Sequence, residues 1–319
     1  MLLTKTKRRV LFWISVLLFL LIAPPAILYS LGYGLGRGFE IQKTGGVFIR
    51  ASQIADVYVE KKHKKTSLIS NGALIKNLVP GSYAVRVTKE NFWDWQKTLG
   101  VMSEHVTSRS ALLVPLNIDG KALGTSTPFV EPGRRPAFTG VKKFWALPKS
   151  GDFLILGEDG NFYKNKDLPA GKAGKFDFED WPKASSTLRQ IFKTQKNIVF
   201  GQTEEKILFW DEHNVYAFWI GDLNKMPEWW FEKLQIDSGL VFLHVYFSPN
   251  KIRGVAEYPG WPDYLLVEMQ NGIFALEMDS TGGQNIFPIY KGKEPHIVAV
   301  TKNVLTILDD KNYTEIELP

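Results

Sequence analysis

FLILGEDGNFY (residues 153–163), ILFWDEHNVY (207–216), LLVEMQNGIF (265–274) and LTILDDKNY (305–313) share one plan. Each is an apolar strand, a polar turn with Asn or Gly just before the next strand, and an aromatic or branched restart. Asn and Gly tolerate the left-handed backbone that tight hairpin turns need. The units begin at 153, 207, 265 and 305, and hairpins recurring every roughly 40–50 residues are expected of propeller blades, longer intervals implying insertions. Residues 143–319 therefore read as a β-propeller-like domain of about four or five blades, with an incomplete ring or a β-sandwich as alternatives. The clearest insertion is Asn165 to Trp181, which contains the low-complexity stretch LPAGKAG (168–174). LNKMPEWWFEKLQI (223–236) is the best helix candidate in this region, a short turn between blades.

Upstream, a linker rich in turn formers covers 117–142, with Asp119-Gly120, Pro132-Gly133 and Arg134-Arg135-Pro136. Residues 43–116 form a separate β domain. SYAVRVTK (82–89) alternates, with Tyr83, Val85 and Val87 on one face, the period of a half-buried antiparallel strand. TGGVFIR (44–50), ADVYV (55–59), LVPGSYAVRVTKE (78–90) and FWDWQK (92–97) together resemble a PEGA domain, a small β-sandwich-like module of bacterial and archaeal surface proteins. The name-giving tetrad is replaced here by Ser52-Gln53-Ile54-Ala55, of which only the alanine is kept. The resemblance implies a strand framework and no catalytic residues.

Before this domain runs Val10 to Tyr33, and no charge falls between Arg9 and Arg37. A membrane span needs about 20 apolar residues at 1.5 Å rise each, so residues 10–33 read as one transmembrane helix. Lys5, Lys7, Arg8 and Arg9 supply four of the six net positive charges of the 319-residue chain. They make residues 1–9 a cytoplasmic tail by the positive-inside rule and place the bulk of the chain outside the cell membrane. Pro24-Pro25 should kink the helix, and prolines where small residues are needed argue against a cleaved signal peptide, the competing reading. The glycine-rich residues 34–42 are a flexible linker. The all-β ectodomain behind the span is left nearly neutral, without the positive footprint that nucleic-acid binding requires.

The chain has no cysteine, which excludes disulfides, thiolate metal sites and a cysteine nucleophile. Its five histidines form no HxxxH or HExxH pair, and no G-x-S-x-G elbow or P-loop is present. No catalytic residue, cofactor or metal ligand is assigned. The carboxylates Glu158-Asp159, Asp211-Glu212 and Asp309-Asp310 lie in hairpin turns, where Asp serves the turn's own hydrogen bonds. A glycosidase-like envelope hydrolase, the alternative function, would need two of them about 5–10 Å apart. The basic run KKHKK (61–65) reads as a solvated hairpin tip. Trp93, Trp95, Trp229, Trp230 and Trp261 are the candidate ligand surface, with core packing as the competing role. In alternation, Trp93 and Trp95 would share a face. The expected function is that of a single-pass, membrane-anchored binding or scaffold protein of the cell envelope. Its partners would be membrane lipid along 10–33 and an envelope protein or polysaccharide.

Overall fold

The computed structural model describes residues 5–36, 38–125, 141–165, 174–175, 185–236 and 242–319. The turn-rich core of the expected linker (126–140) and most of the expected insertion at 165–181 lie outside the described residues. The described chain is mostly β-strand with three α-helices, and it divides into two compact units.

The first unit comprises Met1–Lys89 and Gln96–Ala111. It opens with α1 (Lys5–Ser30), an unbroken helix that runs through Pro24 and Pro25 and buries no residue. Proline removes a backbone donor, so the carbonyls of Leu20 and Leu21 lack their helical partners. The helix stops three residues short of the expected span. Leu31 N–H still donates to the Ile27 carbonyl, and Gly32 then takes φ +83°, a left-handed exit that glycine adopts without a Cβ clash. The glycine-rich stretch beyond it is more ordered than its composition suggests. β1 (Tyr33–Leu35) pairs antiparallel with β2 (Ile41–Lys43), so the expected flexible linker is a short hairpin. Thr44 fastens its base through N–H and hydroxyl bonds to the Gly32 carbonyl.

Seven strands follow: β3 (Gly45–Ala51), β4 (Asp56–Val59), β5 (Lys62–Lys65), β6 (Gly72–Leu78), β7 (Gly81–Thr88), β8 (Trp95–Val101) and β9 (Val106–Ala111). They make two sheets, ordered β6-β3-β9 and β5-β4-β7-β8, with β3 and β9 parallel. Alternate residues are buried: Val47, Ile49 and Ala51 in the first sheet, and Val57, Val59, Val85, Val87, Leu99 and Val101 in the second. Gly45 fits only as glycine, because a Cβ there would lie 2.1 Å from the Met102 carbonyl oxygen.

The second unit comprises Glu90–Trp95 and Leu112–Pro319. After β10 (Gly120–Gly124) come three consecutive four-stranded sheets. The first is β11 (Val141–Ala146), β12 (Phe153–Gly157), β13 (Phe162–Asn165) and β14 (Gly174–Lys175). The second is β15 (Asn197–Phe200), β16 (Lys206–Trp210), β17 (Asn214–Trp219) and β18 (Phe242–Phe247). The third is β19 (Ile252–Glu257), β20 (Tyr264–Met269), β21 (Gly272–Glu277) and β22 (Ile286–Lys291). The last three strands, β23 (His296–Thr301), β24 (Val304–Asp309) and β25 (Asn312–Glu317), form a sheet whose fourth member is β10, paired with β25. A strand from the start of the unit thus completes the sheet at its end. The four hairpins of the sequence are the two middle strands of the four sheets.

The middle strands β12 and β20 are buried on both faces, which is why they read as unbroken apolar runs rather than alternating ones. The helix α2 (Ser185–Thr194) places Leu188 and Phe192 in a core with Trp145, Leu154, Phe209 and Phe218 of the first two sheets. The candidate helix at 223–236 resolves into a 3-10 turn (Leu223–Lys225) and α3 (Glu228–Ile236). It falls inside the second sheet's run, between β17 and β18, rather than between blades. Its Trp229 and Trp230 join Trp219, Leu265 and Val267 in a core shared by the second and third sheets.

Carboxylates staple each sheet to the next. Glu204 accepts the Lys149 and Ser150 N–H groups at 2.8 and 2.6 Å, tying the second sheet to the first. Glu257 of β19 holds Lys206 of β16 at 2.6 Å in a pair almost wholly removed from solvent, and also accepts the Gln202 N–H. Glu268 of β20 accepts the Ile297 N–H at 2.9 Å and meets His296, joining the third sheet to the fourth.

Candidate functional site

The five candidate tryptophans occupy three environments. Trp93 lies just before β8, where Phe92 and Pro115 form an isolated bridge. Its N–H donates to Val114 (2.8 Å), and the Leu116 N–H donates to Asn91 (2.9 Å). Asn91 sits at φ +64°, a region that asparagine tolerates better than most residues. The regular strand begins only at Trp95, so the expected alternation does not reach back to Trp93. Trp93 remains 39% exposed while Trp95 is wholly buried.

Trp93 lines an open cleft of about 450 Å³ with Asn117, Asp119, Tyr290 and Lys291. Asn117, Asp119 and Lys291 are exposed and Tyr290 is half-buried. Burial, the largest influence, raises the Tyr290 phenol above its ordinary value, helped by Asp309, with which it hydrogen-bonds at 3.1 Å. Tyr290 is therefore a neutral hydrogen-bonding group at physiological pH. The cleft combines one exposed ring with a carboxylate, an amide, an ammonium and a phenol. That set suits a polyhydroxylated ligand, which stacks a ring face and satisfies its hydroxyls through fixed polar groups.

Trp229 and Trp230 are buried, and with Trp219 they line a smaller space of about 110 Å³ beside Lys206, Lys225 and Asp263. Several of its polar groups are already engaged. Lys206 bonds Glu257 and the Pro262 carbonyl, each at 2.6 Å, and the Trp229 indole N–H donates to Asp263 at 3.1 Å. The Trp230 indole nitrogen is buried without a hydrogen-bond partner among the described residues. Trp261 is half-buried and meets Tyr264 edge-on, ring centroids 6.5 Å apart. The structure thus leaves Trp93 as the accessible ring and packs Trp95, Trp229 and Trp230 into cores.

The turn carboxylates serve their own surroundings. Asp159 accepts hydrogen bonds from Tyr163 and Asn161, which hold its carboxyl below the usual range. Asp211 accepts the N–H groups of His213 and Asn214 (2.8 Å each); its partial burial acts in the opposite direction, but these bonds prevail and lower its pKa. Asp309 accepts the Lys293 and Glu294 N–H groups at 3.3 and 3.0 Å. Among the described residues, no group of three or more His, Asp or Glu side chains is arranged to hold a metal ion. In the first unit, Lys62 and Lys64 of the basic run donate to main-chain carbonyls of the neighbouring β6 region.

Sequence reasoning missed Asn117, Asp119, Tyr290 and Lys291. They are contributed by two segments about 170 residues apart, and nothing local marks them as neighbours of Trp93.

No family model matches the chain, and no curated protein matches it. Among solved structures, a gluconolactonase from Xanthomonas campestris aligns over 87% of each chain at 9% identity, with a TM-score of 0.31. Regucalcin, a calcium-binding protein from Agrobacterium tumefaciens, aligns over 85% of this chain and 97% of its own at 10% identity, with a TM-score of 0.29. Apo AztD from Citrobacter koseri aligns over 77% and 69% at 12% identity, also with a TM-score of 0.29. Likenesses this slight carry no functional argument.

Proposed function

We propose that this chain is a single-pass membrane protein of the cell envelope. In this reading its N-terminus is cytoplasmic, and its two β units are held outside as a binding or scaffold module without catalytic activity. The carrying observation is α1, a 26-residue apolar helix with no buried residue. From Val10 onward the helix is apolar all round and demands an apolar solvent, and among the described residues no part of the chain supplies one. The basic residues at its start favour retention of that end in the cytoplasm. The order of strands in the first unit supports the PEGA-like reading, with TGGVFIR in β3, ADVYV leading into β4 and SYAVRVTK spanning β7. The four sheets and the β10–β25 closure support a four-bladed propeller for the second unit. The engagement of the turn acids by their own backbone weighs against the glycosidase-like alternative.

The Trp93 cleft is the proposed ligand site, and envelope polysaccharide is the proposed ligand. Full-length protein in nanodiscs should co-sediment with purified cell-wall polysaccharide. Trp93→Ala should weaken retention by roughly 10-fold, the loss of one stacked ring, with the melting temperature little changed. Equal retention of wild type and variant would remove the cleft from the proposal.

A further inference from the structure

The β1–β2 hairpin at the outer end of α1 is built as no soluble turn needs to be. Leu31, Leu35, Phe39 and Ile41 are all exposed, and Phe39, at 83%, is the most open of them. Phe39 also sits at φ +59°, a left-handed conformation uncommon for so bulky a residue. Water would favour glycine or asparagine at such a position. Two of them, Leu35 and Ile41, belong to one surface. A concave apolar surface of about 280 Å³ runs without interruption from Pro25, Leu28 and Tyr29 of α1 onto Tyr33, Leu35 and Ile41 of the hairpin. The opposite end of the hairpin is polar, with Lys43 paired to Glu104 at 2.5 Å.

We infer that this hairpin is a second membrane contact, inserted into the outer leaflet at the boundary between headgroups and acyl chains. The inference rests on the reading that α1 spans a bilayer. Continuity with α1 selects lipid as the occupant, because the same apolar surface cannot leave the bilayer at Ser30 and resume three residues later, at Tyr33, in water. Glu40, exposed beside Phe39, sets the depth: a carboxylate is tolerated at the headgroup level and costly in the hydrocarbon centre. Tyr29 and Tyr33 stand where amphipathic rings favour the interface. Such a foot fixes the direction in which the chain leaves the membrane, which a single helix followed by a flexible linker could not do.

The absence of cysteine makes site-directed spin labelling direct. Leu20→Cys, Leu35→Cys, Phe39→Cys and Lys61→Cys, each in the full chain, would carry a nitroxide in nanodiscs of phosphatidylcholine and phosphatidylglycerol. Power saturation with oxygen and with a water-soluble nickel chelate then reads the surroundings of each label. Labels at 20, 35 and 39 should be accessible to oxygen and shielded from nickel, and the label at 61 should show the reverse. Lipid-type behaviour at 20 with water-type behaviour at 35 and 39 would overturn the foot and leave the anchor standing. Water-type behaviour at 20 as well would remove the anchor and the foot together. Shielding of 35 and 39 from both reagents would mean a protein occupant, such as a second copy, and would also overturn the inference.

Discussion

Trp93 and Trp95 are two residues apart in sequence and have opposite fates, because the strand that would alternate them starts only at the second. Replacing Trp95 by alanine should therefore cost about 3–5 kcal/mol of stability, the usual range for emptying a large buried aromatic site. Chemical denaturation of the two alanine variants checks this, with Trp93→Ala close to wild type. Two buried tyrosines set a pH limit. Burial, the largest cause, drives the Tyr264 phenol well above its ordinary value, with the Glu277 charge adding to it, and burial alone raises Tyr258. A group whose folded pKa is raised gives stability that is complete below its unfolded value, near pH 10, and is lost as pH climbs through the folded one. Melting temperature should thus be insensitive to these groups up to about pH 9 and fall above pH 10. The Tyr258 hydroxyl is buried without a partner among the described residues, whereas the Tyr264 hydroxyl accepts the Leu112 N–H at 3.1 Å. Tyr258→Phe should accordingly be neutral or stabilising at pH 7 and flatten the alkaline fall. Thermal melts at pH 8 and 10.5 measure both effects.

At the scale of elements, the middle hairpins of all four sheets were legible because their apolar runs and Asn/Gly turns are local features. The closing strand was not. GKALG (120–124) looks like linker, with two glycines and no apolar run, and its role comes only from pairing with β25 near the other end of the chain. The β1–β2 hairpin was hidden for the same reason, since glycine richness signals flexibility until Thr44 and the strand pairing are seen to fix it. The polar groups around Trp93 depend on the same long-range assembly. β10 is an edge strand, and successive N–H groups along a strand point to opposite sides. A Lys121→Pro, Ala122→Pro double variant must therefore remove at least one N–H directed at β25. Opening the closure should cost on the order of 1–3 kcal/mol and raise hydrogen exchange in β25 above that in β20. Unchanged exchange in β25 would mean that β10 is not what holds the last sheet.

At the scale of the whole molecule, charge and hydropathy act together as an address. The basic character of the chain (pI ≈ 9.2) belongs largely to the four cations in front of α1, and the β units behind it are close to neutral. An apolar helix that buries no residue, a proposed interfacial foot and an accessible aromatic cleft fit together if the chain is held at a membrane with its β units outside. The most direct test uses single cysteines in a chain that has none. Lys7→Cys and Asp310→Cys variants in cells whose outer surface is accessible would be treated with a membrane-impermeant maleimide. The account predicts labelling at 310 in intact cells, labelling at 7 only after lysis, and full-length protein retained in the membrane fraction. Labelling at 7 in intact cells, or release of a shortened chain into the medium, would contradict it.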